Sequence, residues 1–116
     1  MNIQAFRDKL KKKAGTKAGM ILIHNGIVRD HAKDNKPCTS LDIEVNFEIL
    51  NQIMEETRKL PGVVAAEVEI RSGHLKKGDD VMLLGIAGDF RHNVISALSY
   101  CLDRIKEEVT NKKEYP

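Results

Sequence analysis

The sequence has no tryptophan, three phenylalanines and two tyrosines, so aromatic residues make up only 4% of its 116 positions. Stacking on nucleic-acid bases is therefore poorly supplied, and aliphatic side chains must build the core. Only two cysteines occur, Cys38 and Cys101, and they form no CxxC pair. That argues against a disulfide scaffold or a cysteine-based zinc site and fits a reducing, cytoplasmic setting. No apolar run approaches the roughly 20 residues that span a bilayer, and no basic–apolar–small leader is read at the start, so no membrane partner is expected. Walker loops, GxGxxG, GxSxG and HExxH are all missing. The histidines His24, His31, His74 and His92 lack ligand spacing, so neither a metal site nor a cofactor is expected.

Hydrophobic residues make up 41% of the chain and charged residues 31%, a balance that suits a soluble globular protein. A mass of 13.0 kDa leaves room for one core. The net charge of +2 hides a split. Residues 1–17 carry Arg7, Lys9, Lys11, Lys12, Lys13 and Lys17 against Asp8, while the rest of the chain is mildly acidic. The basic character is thus local, and no nucleic-acid partner is expected.

Ile3, Phe6 and Leu10 predict a short helix over residues 3–13, with its lysines as a solvated face and Gly15 and Gly19 ending it. With its linker this segment spans 1–18, ahead of a unit over 19–116. Residues 20–28 read as a strand, and 30–37 as a loop. Leu41, Ile43 and Val45 alternate with Asp42 and Glu44, a strand with one dry face. Asn46 can cap the next helix, whose stripe is Phe47, Leu50, Ile53, Met54 and Leu60, and Pro61-Gly62 stops it. Residues 63–71 alternate again, with Val64, Ala66, Val68 and Ile70 inward and Glu67, Glu69 and Arg71 outward. Residues 73–79 read as a turn and 80–87 as a strand. A last helix is predicted from about 90 to 109, capped by Asp89 or Asn93. The order α-β-β-α-β-β-α, with two hairpin-like strand pairs, predicts an α+β fold with helices packed on an antiparallel or mixed sheet.

Three basic groupings stand out. Arg29-Asp30-His31 follows a strand end, where a rigid element can hold site residues. Lys106 and Lys113 are seven residues apart and would share a face if the last helix continued through Lys112-Lys113-Glu114. Arg91 opens the same helix, with Phe90 and His92 beside it. Cys101, among Leu98, Leu102 and Ile105, reads as a buried structural thiol. These residues allow an anion site but name no reaction.

The segment Gly26-Ile-Val-Arg-Asp-His31 resembles the Gly-x-Val-Arg-x-His segment of the large, catalytic subunit of molybdopterin synthase, the MoaE family. Further pieces agree in order: Leu41-Asp-Ile-Glu-Val45 before a helix, Arg71-Ser-Gly73 with Leu75 and Gly78-Asp79, and Asp103-Arg-Ile-Lys106 before Lys112-Lys113-Glu114. The resemblance covers roughly residues 19–114. It implies an α/β hammerhead and a homodimer flanked by two copies of a small ubiquitin-like sulfur carrier, MoaD-like. It also implies a reaction, transfer of sulfur from the carrier's C-terminal thiocarboxylate to cyclic pyranopterin monophosphate, forming molybdopterin. By the same resemblance Lys106 is the first choice for acid–base work. Spacing selects Lys113 as the second lysine, and the Lys-Lys-Glu context selects Lys112. Arg29 matches a phosphate-pocket arginine, with His31 in the same substrate-binding segment, and Arg91 matches an arginine that reaches the pocket from the dimer partner. The chain departs from the family pattern at Phe90, Thr110 and Asn111, where histidine, proline and tryptophan are usual. A second expectation therefore stands beside the first: a dimeric binding module, impaired in catalysis, that retains the carrier interaction.

Overall fold

The run from Val81 to Gly88 is apolar throughout, as a strand covered on both faces must be. In the computed structural model, which describes residues 1–116, that run is the centre of the molecule. In chain order the elements are α1 (Ile3–Ala14), β1 (Met20–Ile27), β2 (Ser40–Val45), α2 (Phe47–Arg58), β3 (Val63–Ile70), β4 (Gly73–Lys76), β5 (Asp80–Gly88) and α3 (Arg91–Arg104). A π-helical turn (Ile105–Val109) and β6 (Thr110–Tyr115) follow. The expected α+β class holds. The strands form two three-stranded antiparallel sheets, ordered β1-β5-β3 and β4-β2-β6. No helix is long and apolar enough to cross a membrane.

The main core lies between one face of the first sheet, helices α2 and α3, and the dry face of the second sheet. Leu84, Ile86, Ile53, Val94, Ile105 and Ile43 are almost wholly buried there. Helix α1 covers the other face of the first sheet, where Phe6, Leu10 and Ala14 pack on Ala65, Leu83 and Ala87. Gly85 makes this possible, because a Cβ there would collide with Leu10 and Phe6. Asn46 caps α2 as predicted, its Oδ1 accepting from the Ile49 amide at 3.1 Å. The α3 start is held from one position earlier than a cap. Phe90 is the N-cap residue, and Asp89 Oδ1 accepts from the Phe90 amide at 2.5 Å and from Asn93 Nδ2 at 2.9 Å.

Several expectations change. The first strand pair is not a hairpin: β1 pairs with β5, while β2 pairs with β4 and β6, because the loop after β1 carries the chain from one sheet to the other. The second pair, β3 with β5, is antiparallel as expected. The predicted turn at 73–79 contains β4, whose four residues are too few to show alternation. The last helix ends at Arg104 instead of 109. Ile105 and Val109 stay buried through the π-helical turn, and the chain then closes the open edge of β2. Lys106 and Lys113 therefore share no helical face. Finally, Glu67 was expected outward but is buried, because α1 lies over it. Lys13 and Lys9 of that helix and Arg58 of α2 all pair with its carboxylate. Part of the lysine run thus holds α1 to β3 rather than only facing water. Within the predicted α2 stripe Phe47 is exposed, since it opens the helix beyond the edge of the core.

Candidate active site: a cationic cleft between the sheets

Strand β1 ends in Gly26-Ile27, where the ladder to β5 is broken by a bulge. The backbone swings away there, and Val28 is buried, so Arg29 and His31 are carried into the lining of a cleft of about 590 Å³. Opposite them, the π-helical turn supplies Lys106, and β6 supplies Thr110, Lys112 and Glu114. Leu41 of β2 with Val81 and Met82 of β5 form an apolar wall. Arg29, Lys33, Lys106 and Lys112 line the cleft against one carboxylate, Glu114. A surplus of fixed positive charge over an apolar wall suits a ligand with an anionic group and a flat or aliphatic body.

Strand geometry settles which of the two terminal lysines enters. Lys112 is the register partner of Ile43 and Lys113 that of Asp42. Side chains alternate along a strand, so Lys112 points with buried Ile43 and Lys113 with Asp42 on the outer face. There the Lys113 ammonium lies 5.3 Å from the Tyr115 ring centre.

The electrostatics agree with this grouping. Burial, then the neighbouring Lys106, and further off Arg29 and Lys33, lower the Lys112 pKa, partly opposed by Glu114. His24 is also lowered, by burial and then by Lys106 and Lys112, so its neutral form is favoured. Asp30 Oδ1 lies 2.8 Å from His31 Nδ1, and that bond, with the histidine's charge, holds the carboxyl below the usual range. The contact leaves His31 Nε2 for a ligand.

The cleft thus gathers Arg29, His31, Lys106 and Lys112 from the sequence expectations and leaves out Lys113. Arg91 does not line it. It stands at the opposite end of α3 from Lys106, across 14 helical residues, or about 21 Å of rise. Sequence reasoning missed His24 and Lys33. His24 had a signal: it shares the strand phase of Met20 and Leu22, which pack on the core, and a histidine in that phase faces either core or site. Cys38 is buried in the cleft wall, its Sγ 3.3 Å from the Ser40 carbonyl oxygen. Cys101 is fully buried beside Met54, with burial pushing its thiol up, as a structural thiol should be.

Comparisons with known proteins agree with the fold. A comparison with curated proteins gives no match. A solved molybdopterin synthase structure from Staphylococcus aureus is 26% identical, covers 99% of this chain and 85% of its own, and superposes with a TM-score of 0.81. A molybdopterin biosynthesis MoaE protein from Burkholderia ambifaria shares the fold at 21% identity, over 100% of this chain and 78% of its own, with a TM-score of 0.81. So does a complex of subunits 1 and 2 of molybdopterin-converting factor from Helicobacter pylori, at 19% identity over 97% and 74%, with a TM-score of 0.72. A family model described as MoaE protein matches residues 1–108, α1 included. The chain therefore belongs to the MoaE family, and its broad role is in molybdenum cofactor biosynthesis.

Proposed function

We propose that the chain is the catalytic large subunit of a molybdopterin synthase. In this reading the cleft is where sulfur passes from the C-terminal thiocarboxylate of a small ubiquitin-like carrier to cyclic pyranopterin monophosphate. The observation that carries it is the meeting of Arg29, Lys106 and Lys112 in one cleft with an apolar wall. Both reactants are anionic at the reacting end, and fixed cations bind them and stabilise charge that develops as the phosphate ring opens. Arg29 offers a planar fork of donors for phosphate oxygens, with His31 beside it. Lys106 is assigned to acid–base work. Lys112 joins it, since a lysine whose pKa is lowered holds a larger fraction of free amine and moves a proton more readily.

Arg91 is held away from its own cleft by the length of α3; following the family resemblance, we assign it to the cleft of a second copy and the active form to a homodimer in the cytoplasm. The small carrier is the second partner. The Helicobacter pylori fold relative is itself a complex of the two subunits of a molybdopterin-converting factor.

The test is Lys106→Ala in a reaction containing the pterin substrate and a thiocarboxylated carrier. Turnover should fall by about two to four orders of magnitude, the range of a lost acid–base group, with the thermal midpoint nearly unchanged. Wild-type protein that binds the carrier without turnover would point instead to the non-catalytic binding module. Wild type that neither binds nor turns over would remove both readings.

A further inference from the structure

Away from the cleft, the most complete polar cluster lies on the outer face of the second sheet. Asp42 sits in the central strand β2, opposite His74 of β4 on one side and Lys113 of β6 on the other. Its Oδ1 is 2.7 Å from His74 Nδ1, and its Oδ2 accepts from the Tyr115 hydroxyl at 2.5 Å. The His74 and Tyr115 rings are 5.7 Å apart, and the Lys113 ammonium lies over the Tyr115 ring. One carboxylate thus ties both edge strands to the central one. These bonds hold Asp42 below the usual carboxylate range and push the Tyr115 hydroxyl up, as expected when the bond favours the ionised carboxylate and the protonated phenol.

The consequence lies on the other face. β6 is a six-residue edge strand that follows directly on the π-helical turn. It carries two lysines in a row, with opposite orientations. A slip of one residue would turn Lys113 into the cleft and carry Lys112 out, because a one-residue shift reverses every side chain of a strand. The apolar pattern does little to prevent this, since β6 has no large aliphatic residue on its inner face: that face is Thr110, Lys112 and Glu114. The outer face is specific. Only in the observed register does Tyr115 reach Asp42 while Lys113 sits opposite it.

We propose that the Asp42–Tyr115 bond, braced by His74, is a register lock that selects Lys112 rather than Lys113 for the cleft. Asp42 and Tyr115 are then positioning residues, acting through Lys112. This rests on the proposed function for its meaning in catalysis, but not for its structural content.

The test reads the two lysines directly. Trace acylation with an amine-reactive anhydride across a pH series, resolved by peptide mass spectrometry, gives a titration midpoint for each. In the wild type the Lys112 midpoint should lie below that of Lys113. In Tyr115→Phe and in Asp42→Ala the separation should shrink or reverse. Amide exchange of β6 should speed up by about tenfold or more, the scale of losing one hydrogen bond to a charged group. Amides of α3 and of the first sheet should keep their protection, which shows that the variants are folded. Asp42→Asn, which retains hydrogen-bonding atoms, should keep most of the separation. In turnover, Tyr115→Phe should lower kcat with KM for the pterin changed less than twofold. Unchanged midpoints for Lys112 and Lys113 in both Tyr115→Phe and Asp42→Ala would overturn the proposal. If the wild type has no synthase activity, the functional reading fails while acylation and exchange still decide the lock.

Discussion

Lys112 stands among Lys106, Arg29 and Lys33, and its pKa is lowered mainly by burial. That has a cost in stability. The unfolded chain's lysine titrates near 10.4, so at neutral pH the unfolded state binds this proton more tightly than the folded state does. Stability then rises with pH from the folded pKa up to about 10.4, and below the folded pKa the penalty is complete. Lys112→Gln removes it. At pH 7 this variant should melt a few degrees above wild type while losing turnover, an exchange of stability for function that thermal melts and a rate assay check together. The gain should shrink as the melts are repeated toward pH 10. His24 works in the same direction at lower pH: its lowered pKa makes stability fall as pH drops below about 6.5 toward the folded value. At this scale much of the site was legible. Arg29 and His31 follow a strand whose apolar run and terminal glycine are plain in the sequence, and the structure puts them in the cleft. The choice between Lys112 and Lys113 was not legible, because it depends on the phase of a strand that reads as helix in isolation.

Helix α1 illustrates the element scale. Its apolar contribution is small: Phe6, Leu10 and Ala14 are its buried residues. Leu10 is wholly buried and fits over Gly85. Leu10→Ala should cost about 3 kcal/mol, in the usual range for a buried leucine, measured by urea denaturation, with the cleft on the far side of the sheet left intact and turnover little changed at low temperature. Ion pairs from Lys9 and Lys13 to Glu67 add a polar tether. Periodicity revealed all three helices and the strands that alternate over five residues or more. It failed where a second layer changes what a face meets. Glu67 looks like a solvent-facing glutamate until α1 covers it, and nothing in the local pattern of β3 signals a helix whose Lys13 lies 54 residues away. It failed too at β4, which is four residues long, and at β6, whose polar residues are acceptable because β2 supplies the backbone partners.

For the whole molecule, a single chain provides only part of the proposed site, since Arg91 and Lys106 lie at opposite ends of α3. If Arg91 serves the partner's cleft, two inactive variants should complement each other. Arg91→Ala and Lys106→Ala protomers, unfolded together and refolded, should regain roughly a quarter of wild-type activity: half the dimers are hybrids, and one cleft in each hybrid keeps both residues. No regain on mixing would show that Arg91 acts elsewhere or that the active form is not a dimer. The central claim is that the cleft holding Arg29, Lys106 and Lys112 is the place of sulfur transfer. Its most direct test is turnover of cyclic pyranopterin monophosphate by Lys112→Ala beside Lys113→Ala, each with thiocarboxylated carrier. The account predicts a loss of about two orders of magnitude or more for Lys112→Ala and a change of only a few-fold for Lys113→Ala. Equal losses, or a larger loss for Lys113→Ala, would contradict it.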